Sequence, residues 1–321
     1  MPNWSGILEE IKNLTAQGRG DALDVTRRKY LKALSELTGR NVIAYYSGFL
    51  NISENVRDAS ITDMDKNGLM SVIHNLDRTK GLDLILHTPG GELAAAESLV
   101  EYLKEMFGNN IRAIIPQIAM SAGTMIACSC ESIIMGKQSN IGPIDPQLRG
   151  IPATGVIKEF NRAIHEVAQD SKCIPIWQVI IGKYHPTFVG ECEKAIQWSN
   201  KIVTDWLKEN MLLKYDNREE KAKKIVEYLG NHDETKAHAQ HIGLDIKPLE
   251  TLIDGKDLQD VVLSIHHAYM ITFSSSVAVK IIENQIDAAF MVQRGVQHQV
   301  SPQQLLQMQL PVQLHLPVQQ K

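Results

Sequence analysis

The sequence predicts an α/β domain whose sheet is covered on both faces. Three observations point there. Several short segments are apolar throughout rather than alternating, as strands buried on both sides are. They alternate with stretches of helical period, which is how parallel sheets are connected. Two of them run directly into glycine-bearing turns followed by helices.

Residues 22–37 place Tyr30, Leu34 and Leu37 on one helix face, with Gly39 as a C-terminal stop. Val42–Tyr46 follows as a strand, then a helix over Leu69–Leu76, a strand over Leu82–His87 and a helix over Glu92–Phe107 ending at Gly108. A strand is expected from Arg112 to about Ile118, a helix from Ala122 and a short strand at Ser132–Met135. Beyond Ile151 helices dominate, at about Glu193–Lys214, Arg218–Leu229 and Lys256–Ile271. The last segment, Gln293–Gln320, is rich in Gln and interrupted by Pro302, Pro311 and Pro317, which reads as a flexible or partner-bound tail. The resulting division is an N-terminal helical segment at 1–41, a main domain at 42–250, a C-terminal helical segment at 251–291 and the tail at 292–321.

Composition narrows the function classes. The 321 residues carry 33 Lys+Arg against 37 Asp+Glu, so no basic field marks nucleic acid as a partner. No basic-then-apolar leader is readable, and Ile111–Cys128, the most apolar stretch, is interrupted by Arg112, Pro116, Gln117 and Gly123, which argues against a membrane span. Four cysteines, Cys128, Cys130, Cys173 and Cys192, lack a paired framework spacing, as expected of thiols kept reduced in a cytoplasm.

Chemistry concentrates in two turns. Leu84-Ile-Leu-His-Thr-Pro-Gly-Gly91 is a strand entering a Gly-Gly bend and then a helix; Gly90 and Gly91 permit close backbone approach to a ligand oxygen, and the helix start adds positive potential. Thirty residues on, Ser121 sits where a strand hands over to a helix, flanked by Ala122 and Gly123. Taken alone, the first turn reads as punctuation and Ser121 as a helix N-cap. Taken together they are more informative, because parallel strands bring their C-terminal ends to one edge of the sheet. A hydroxyl nucleophile needs a base and the base an orienting group. Asp145 is held between Pro143–Pro146 in Ser139-Asn-Ile-Gly-Pro-Ile-Asp-Pro-Gln147, while His232, the His238/His241 pair and His266-His267 compete as base and spacing does not choose among them.

At these residues the chain resembles the serine dehydrogenase proteinase family, distant relatives of the Clp proteolytic subunit and of signal peptide peptidase A in the Clp/crotonase superfamily. The resemblance spans about Val42–Asp245 and rests on ordered motifs: His87-Thr-Pro-Gly-Gly91, Ala119-Met-Ser-Ala-Gly-Thr124, Ile141-Gly-Pro-Ile-Asp-Pro-Gln147, and His232-Asp233 followed by Gly243-Leu244. It implies a Clp/crotonase-like fold of repeated ββα units, here with helical N- and C-terminal additions. It also implies a catalytic set in the order Ser121, Asp145, His232, with the N–H groups of Gly91 and Ala122 as oxyanion hole and Gly90 at the substrate. Two departures stand out: Ala122-Gly123 where the family often has Gly-Gly, and Glu234-Thr235-Lys236 where it usually has Tyr-Pro-Ile. Many relatives carry a membrane anchor before this domain, and none is readable here.

The expectation is a cytoplasmic serine peptidase that needs no cofactor and no metal, acts on a peptide or protein substrate, and forms a homo-oligomer with an unfoldase or regulatory partner as an option. A Ser-Lys dyad with Lys137 or Lys158 as base is the rival mechanism, and an esterase or an inactive scaffold that binds peptides is the rival function. Asp63-Met-Asp-Lys-Asn-Gly68 imitates the first half of a calcium loop, but position twelve is His74 where a bidentate glutamate is required, so a turn and helix start is the better reading. His238 and His241 lack a third ligand and read as a solvated helix face, and Cys128 and Cys130 as core residues.

Overall fold

The computed structural model describes residues 4–52, 57–230, 244–253 and 256–294. His232, the His238/His241 pair and nearly all of the Gln-rich tail therefore lie outside the described residues.

The chain opens with helices α1 (Trp4–Ala16) and α2 (Ala22–Thr38), the latter closed by Gly39 in the left-handed conformation, φ +69°. Strand β1 (Asn41–Ser47), helix α3 (Met64–Ile73), strand β2 (Leu82–His87) and helix α4 (Leu93–Phe107) follow. Next come β3 (Ile111–Ile115), the two-residue β4 (Ile118–Ala119), α5 (Ala122–Cys128), β5 (Ser132–Met135) and β6 (Asn140–Ile141). The strand expected over 112–118 is thus two strands, because Pro116 has no N–H to continue a ladder. The small hairpin β7 (Gln147–Leu148) and β8 (Ile151–Pro152) precedes four helices, α6 (Ala153–Gln169), α7 (Ile174–Ile181), α8 (Phe188–Glu209) and α9 (Arg218–Gly230). The last described elements are β9 (Ile246–Pro248), β10 (Leu252–Ile253), β11 (Lys256–Asp257), α10 (Leu258–Ser275), β12 (Ala278–Asn284) and β13 (Ala289–Gln293).

Seven strands form one sheet in the order β13-β12-β1-β2-β3-β5-β9. From β1 to β9 neighbours run parallel, and β12 and β13 are antiparallel additions beside β1. Alternate residues explain why the inner strands are apolar throughout. Ile43, Tyr45, Leu84, Leu86, Ala113, Ile115 and Ile133 face the core packed by α3, α4, α5, α8 and α9, while Val42, Ala44, Tyr46, Ile85, Ile114 and Ile134 face the core packed by α2 and α10. Helices on both faces leave no solvated side for polar residues to mark.

The stretch at 251–291, expected to be helical, holds α10 but also β12 and most of β13. Its strand character is masked because β12 buries Lys280, Glu283 and Asn284, each with a partner: Asp65 at 2.7 Å, Arg27 at 2.6 Å and the Val72 carbonyl at 2.5 Å. The calcium-loop resemblance resolves similarly. Asp65 lies in the first turn of α3, buried against Lys280 and the Tyr45 hydroxyl. Cys128 and Cys130 are buried free thiols, each pushed up to about 12 by burial.

Candidate active site

Strand β2 delivers the first turn at the C-terminal edge of the sheet, where Thr88-Pro89-Gly90-Gly91 leads into α4. Gly90 has φ +97°, a conformation that side chains with a Cβ rarely adopt. A methyl group there would lie 2.7 Å from the Met120 carbonyl oxygen and 2.7 Å from Ser121 Cβ. The two turns therefore touch because residue 90 is glycine. Gly91 is equally confined on its other side: a Cβ would meet the Ile61 carbonyl at 2.2 Å. Ile61 is stitched to the bend by two bonds, its N–H donating to the Gly90 carbonyl at 2.8 Å and the Glu92 N–H donating to its carbonyl at 2.9 Å.

The second turn is built by the crossing of β4 under the first. The Thr88 N–H donates to Ile118 O and the Met120 N–H to Thr88 O, both at 3.1 Å, and β6 pairs with β4 on the far side. Ser121 then turns the chain into α5 with φ +49° and ψ −119°. That backbone is costly for any residue but glycine and persists only where its surroundings enforce it. An N-cap residue has extended backbone and a side chain bonded into the first helical turn. Ser121 has neither, since its side chain makes no capping bond, so capping does not account for it. Among the described residues, the N–H groups of Gly91 and Ala122 find no acceptor within the chain.

Ser121 opens onto a cleft of about 460 Å³ lined by Ile61, Gly90, Gly91, Ala122, Met125 and Ile144, among others. Its floor is closed by Ser199, fully buried, whose hydroxyl donates to the Ile144 carbonyl at 3.0 Å. The model of the ClpP-like SDH-type serine proteinase family matches residues 14–247, which contain both turns and the whole cleft. The chain belongs to that family. It is similar to two uncharacterized proteins of Methanocaldococcus jannaschii, MJ0137 at 33% identity over 192 residues and MJ1495 at 30% over 190. Each match covers 58% of this chain, and the chain spans about three fifths of each relative, 60% and 59%. No solved structure matches.

In this member of the family the acidic residue of the motifs, Asp145, is 4% exposed and lines a second cavity, with Thr154, Lys158, Asn200 and Gly230. Ile144 and Pro146 line both cavities, so Asp145 stands immediately behind one wall of the serine cleft. Its carboxylate accepts from the Thr154 N–H at 3.1 Å and from the Thr154 hydroxyl. The Ile144 N–H donates to the Leu229 carbonyl at 3.0 Å, which ties the end of α9 beside the acid.

The rivals are placed elsewhere. Lys137 and Lys158 are both exposed and neither lines the serine cleft, whereas a lysine base must be desolvated. No histidine among the described residues lines that cleft. His87 and His266 are buried on the opposite side of β2, ring centroids 5.3 Å apart; His87 contacts Ser47 O at 3.0 Å and Gln117 Oε1 at 3.2 Å. Burial pushes both imidazoles down, His266 to about 3 with neighbouring His87 and His267 adding to it. Among the described residues no group of His, Cys, Asp and Glu could hold a metal ion, and no helix is long and apolar enough to cross a membrane. The motifs missed Ile61, which clamps the diglycine bend through main-chain bonds that carry no side-chain signature, and Thr154, whose one sequence signal is its place two residues after Pro152 at a helix start.

Proposed function

We propose that this chain is a serine peptidase in which Ser121 is acylated by its substrate, His232 is the general base and Asp145 orients it. The observation that carries the reading is the contact between Gly90 and Ser121, which sets a strained serine beside two main-chain N–H groups that find no acceptor among the described residues, at a cleft. Strain of this kind concentrates where catalysis requires an exposed nucleophile.

His232 would take the Ser121 proton as the oxygen bonds to the amide carbon, with Gly91 and Ala122 N–H groups receiving the negative charge and Gly90 allowing the substrate to approach. The proton passes to the departing amine as the C–N bond breaks, and water then hydrolyses the ester by the same path in reverse. Support for His232 comes from connectivity: Gly230 lines the cavity of Asp145, and two further residues extend the chain by at most about 7 Å. The order β3, β4, α5 supports a fold built of ββα units, and the family supports peptide substrates and an oligomeric assembly.

Labelling by a fluorophosphonate tests the proposal. The expected adduct is on Ser121, absent in Ser121→Ala, slowed at least about 100-fold in His232→Ala and unchanged in His238→Ala. A wild-type protein that does not label would favour the inactive scaffold, and an unslowed His232→Ala would point to another base.

A further inference from the structure

Asp145 has both carboxylate oxygens engaged by one residue. Thr154, second in α6, donates its main-chain N–H to Oδ1 at 3.1 Å and its hydroxyl to Oδ2. The next contact reinforces the pair: the Ala153 N–H donates to the Pro146 carbonyl at 2.9 Å, so the loop carrying the acid is bonded to two successive residues of the helix start. A carboxyl group turns almost freely about its last torsion unless both oxygens are fixed. Here one main-chain bond would leave that rotation open, and the hydroxyl closes it. A carboxylate has about four acceptor sites, so the two bonds from Thr154, the only ones it accepts among the described residues, leave capacity for a further donor, and Asp145 lines a cavity with Asn200 and Gly230.

We infer that Thr154 is a positioning residue for catalysis: its hydroxyl sets the rotation of the Asp145 carboxylate and thereby the direction in which the acid accepts from the base. The inference rests on the peptidase reading above. The competing account is structural, in which Asp145 serves only to cap α6 and Thr154 only to be capped. It predicts a loss of stability without a specific loss of reactivity.

The test is the second-order rate constant for fluorophosphonate labelling of Ser121 in the full chain, with thermal unfolding of every variant in parallel. Thr154→Val is expected to label about 10- to 100-fold more slowly, the usual consequence of losing a hydrogen bond to a charged group. Thr154→Ser should stay within about 2-fold of wild type, because it keeps the donor. In an Asp145→Ala background, Thr154→Val should cause no further slowing, since residues that act as a unit are not additive. Thr154→Ala replaces the valine variant if the latter does not fold. Wild-type labelling rates in Thr154→Val, or a loss of equal size with and without Asp145, would overturn the inference while leaving the peptidase reading intact. Absence of labelling in the wild type would overturn both.

Discussion

Gly90 has no room for a methyl group. Its φ of +97° already disfavours alanine, and the added carbon would press on the Met120 carbonyl and on Ser121 itself. Backbone strain of about 1–3 kcal/mol is therefore the smaller part of the cost, because relief requires the two turns to separate. Gly90→Ala should reduce Ser121 labelling by about 100-fold or more, the scale of a lost oxyanion donor, with the far-ultraviolet circular dichroism unchanged. Ser121 makes the complementary case. Its φ of +49° suits glycine, so Ser121→Gly should be unreactive yet melt about 2–4 °C higher than wild type in calorimetry, while Ser121→Ala is unreactive without that gain. At this scale the sequence was informative where chemistry needs particular residue types. The diglycine and Ser-Ala-Gly turns stood out, but Ile61 acts through its main chain and Thr154 through one hydroxyl, and neither leaves a motif.

The elements explain which histidines are left out of the site. β2 presents Leu84 and Leu86 to one core, and His87 to the other, where Tyr46 stacks on it at 5.2 Å and His266 of α10 lies beside it. Burial keeps His266 neutral down to about pH 3, whereas the unfolded chain protonates it near 6.5. A depressed folded value means that the unfolded state binds more protons as pH falls below 6.5, so stability is complete above that pH and declines towards 3. Urea midpoints should drop between pH 6.5 and 4.5 by the equivalent of about 2–3 kcal/mol for this group, and His266→Leu should flatten the decline. Element boundaries were legible where both faces of a strand are apolar, as at Leu82–His87 and Ser132–Met135. They slipped where main-chain chemistry intervened, at Pro116, and where α3 begins at Met64 on a buried Asp65 instead of at the first run of apolar residues.

Across the described molecule the fold joins an early strand to a late one. β12 lies beside β1, pairing Ile43 with Asn284 and Tyr46 with Ile281, and its Lys280 ammonium donates to Asp65 at 2.7 Å and to the Ser60 carbonyl at 2.6 Å. Ser60 and Ile61 belong to the cleft wall, so one buried ion pair holds the clamp on Gly91. Removing one partner of a buried pair commonly costs about 3–5 kcal/mol. Lys280→Met should lower the urea midpoint by the equivalent of about 3–5 kcal/mol, and adding Asp65→Leu should restore part of it. The C-terminal strands were the least legible part of the fold, because a strand carrying Lys280, Glu283 and Asn284 looks solvated until the partners 215 and 256 residues away are known. That long reach has a consequence during synthesis. A nascent chain that has emerged only as far as α9 already contains the serine, but the cleft wall at Ser60 lacks its bond from the Lys280 ammonium until residue 280 leaves the ribosome. The order of translation thus leaves that part of the cleft wall incomplete until only β12 and β13 of the seven strands remain to be finished.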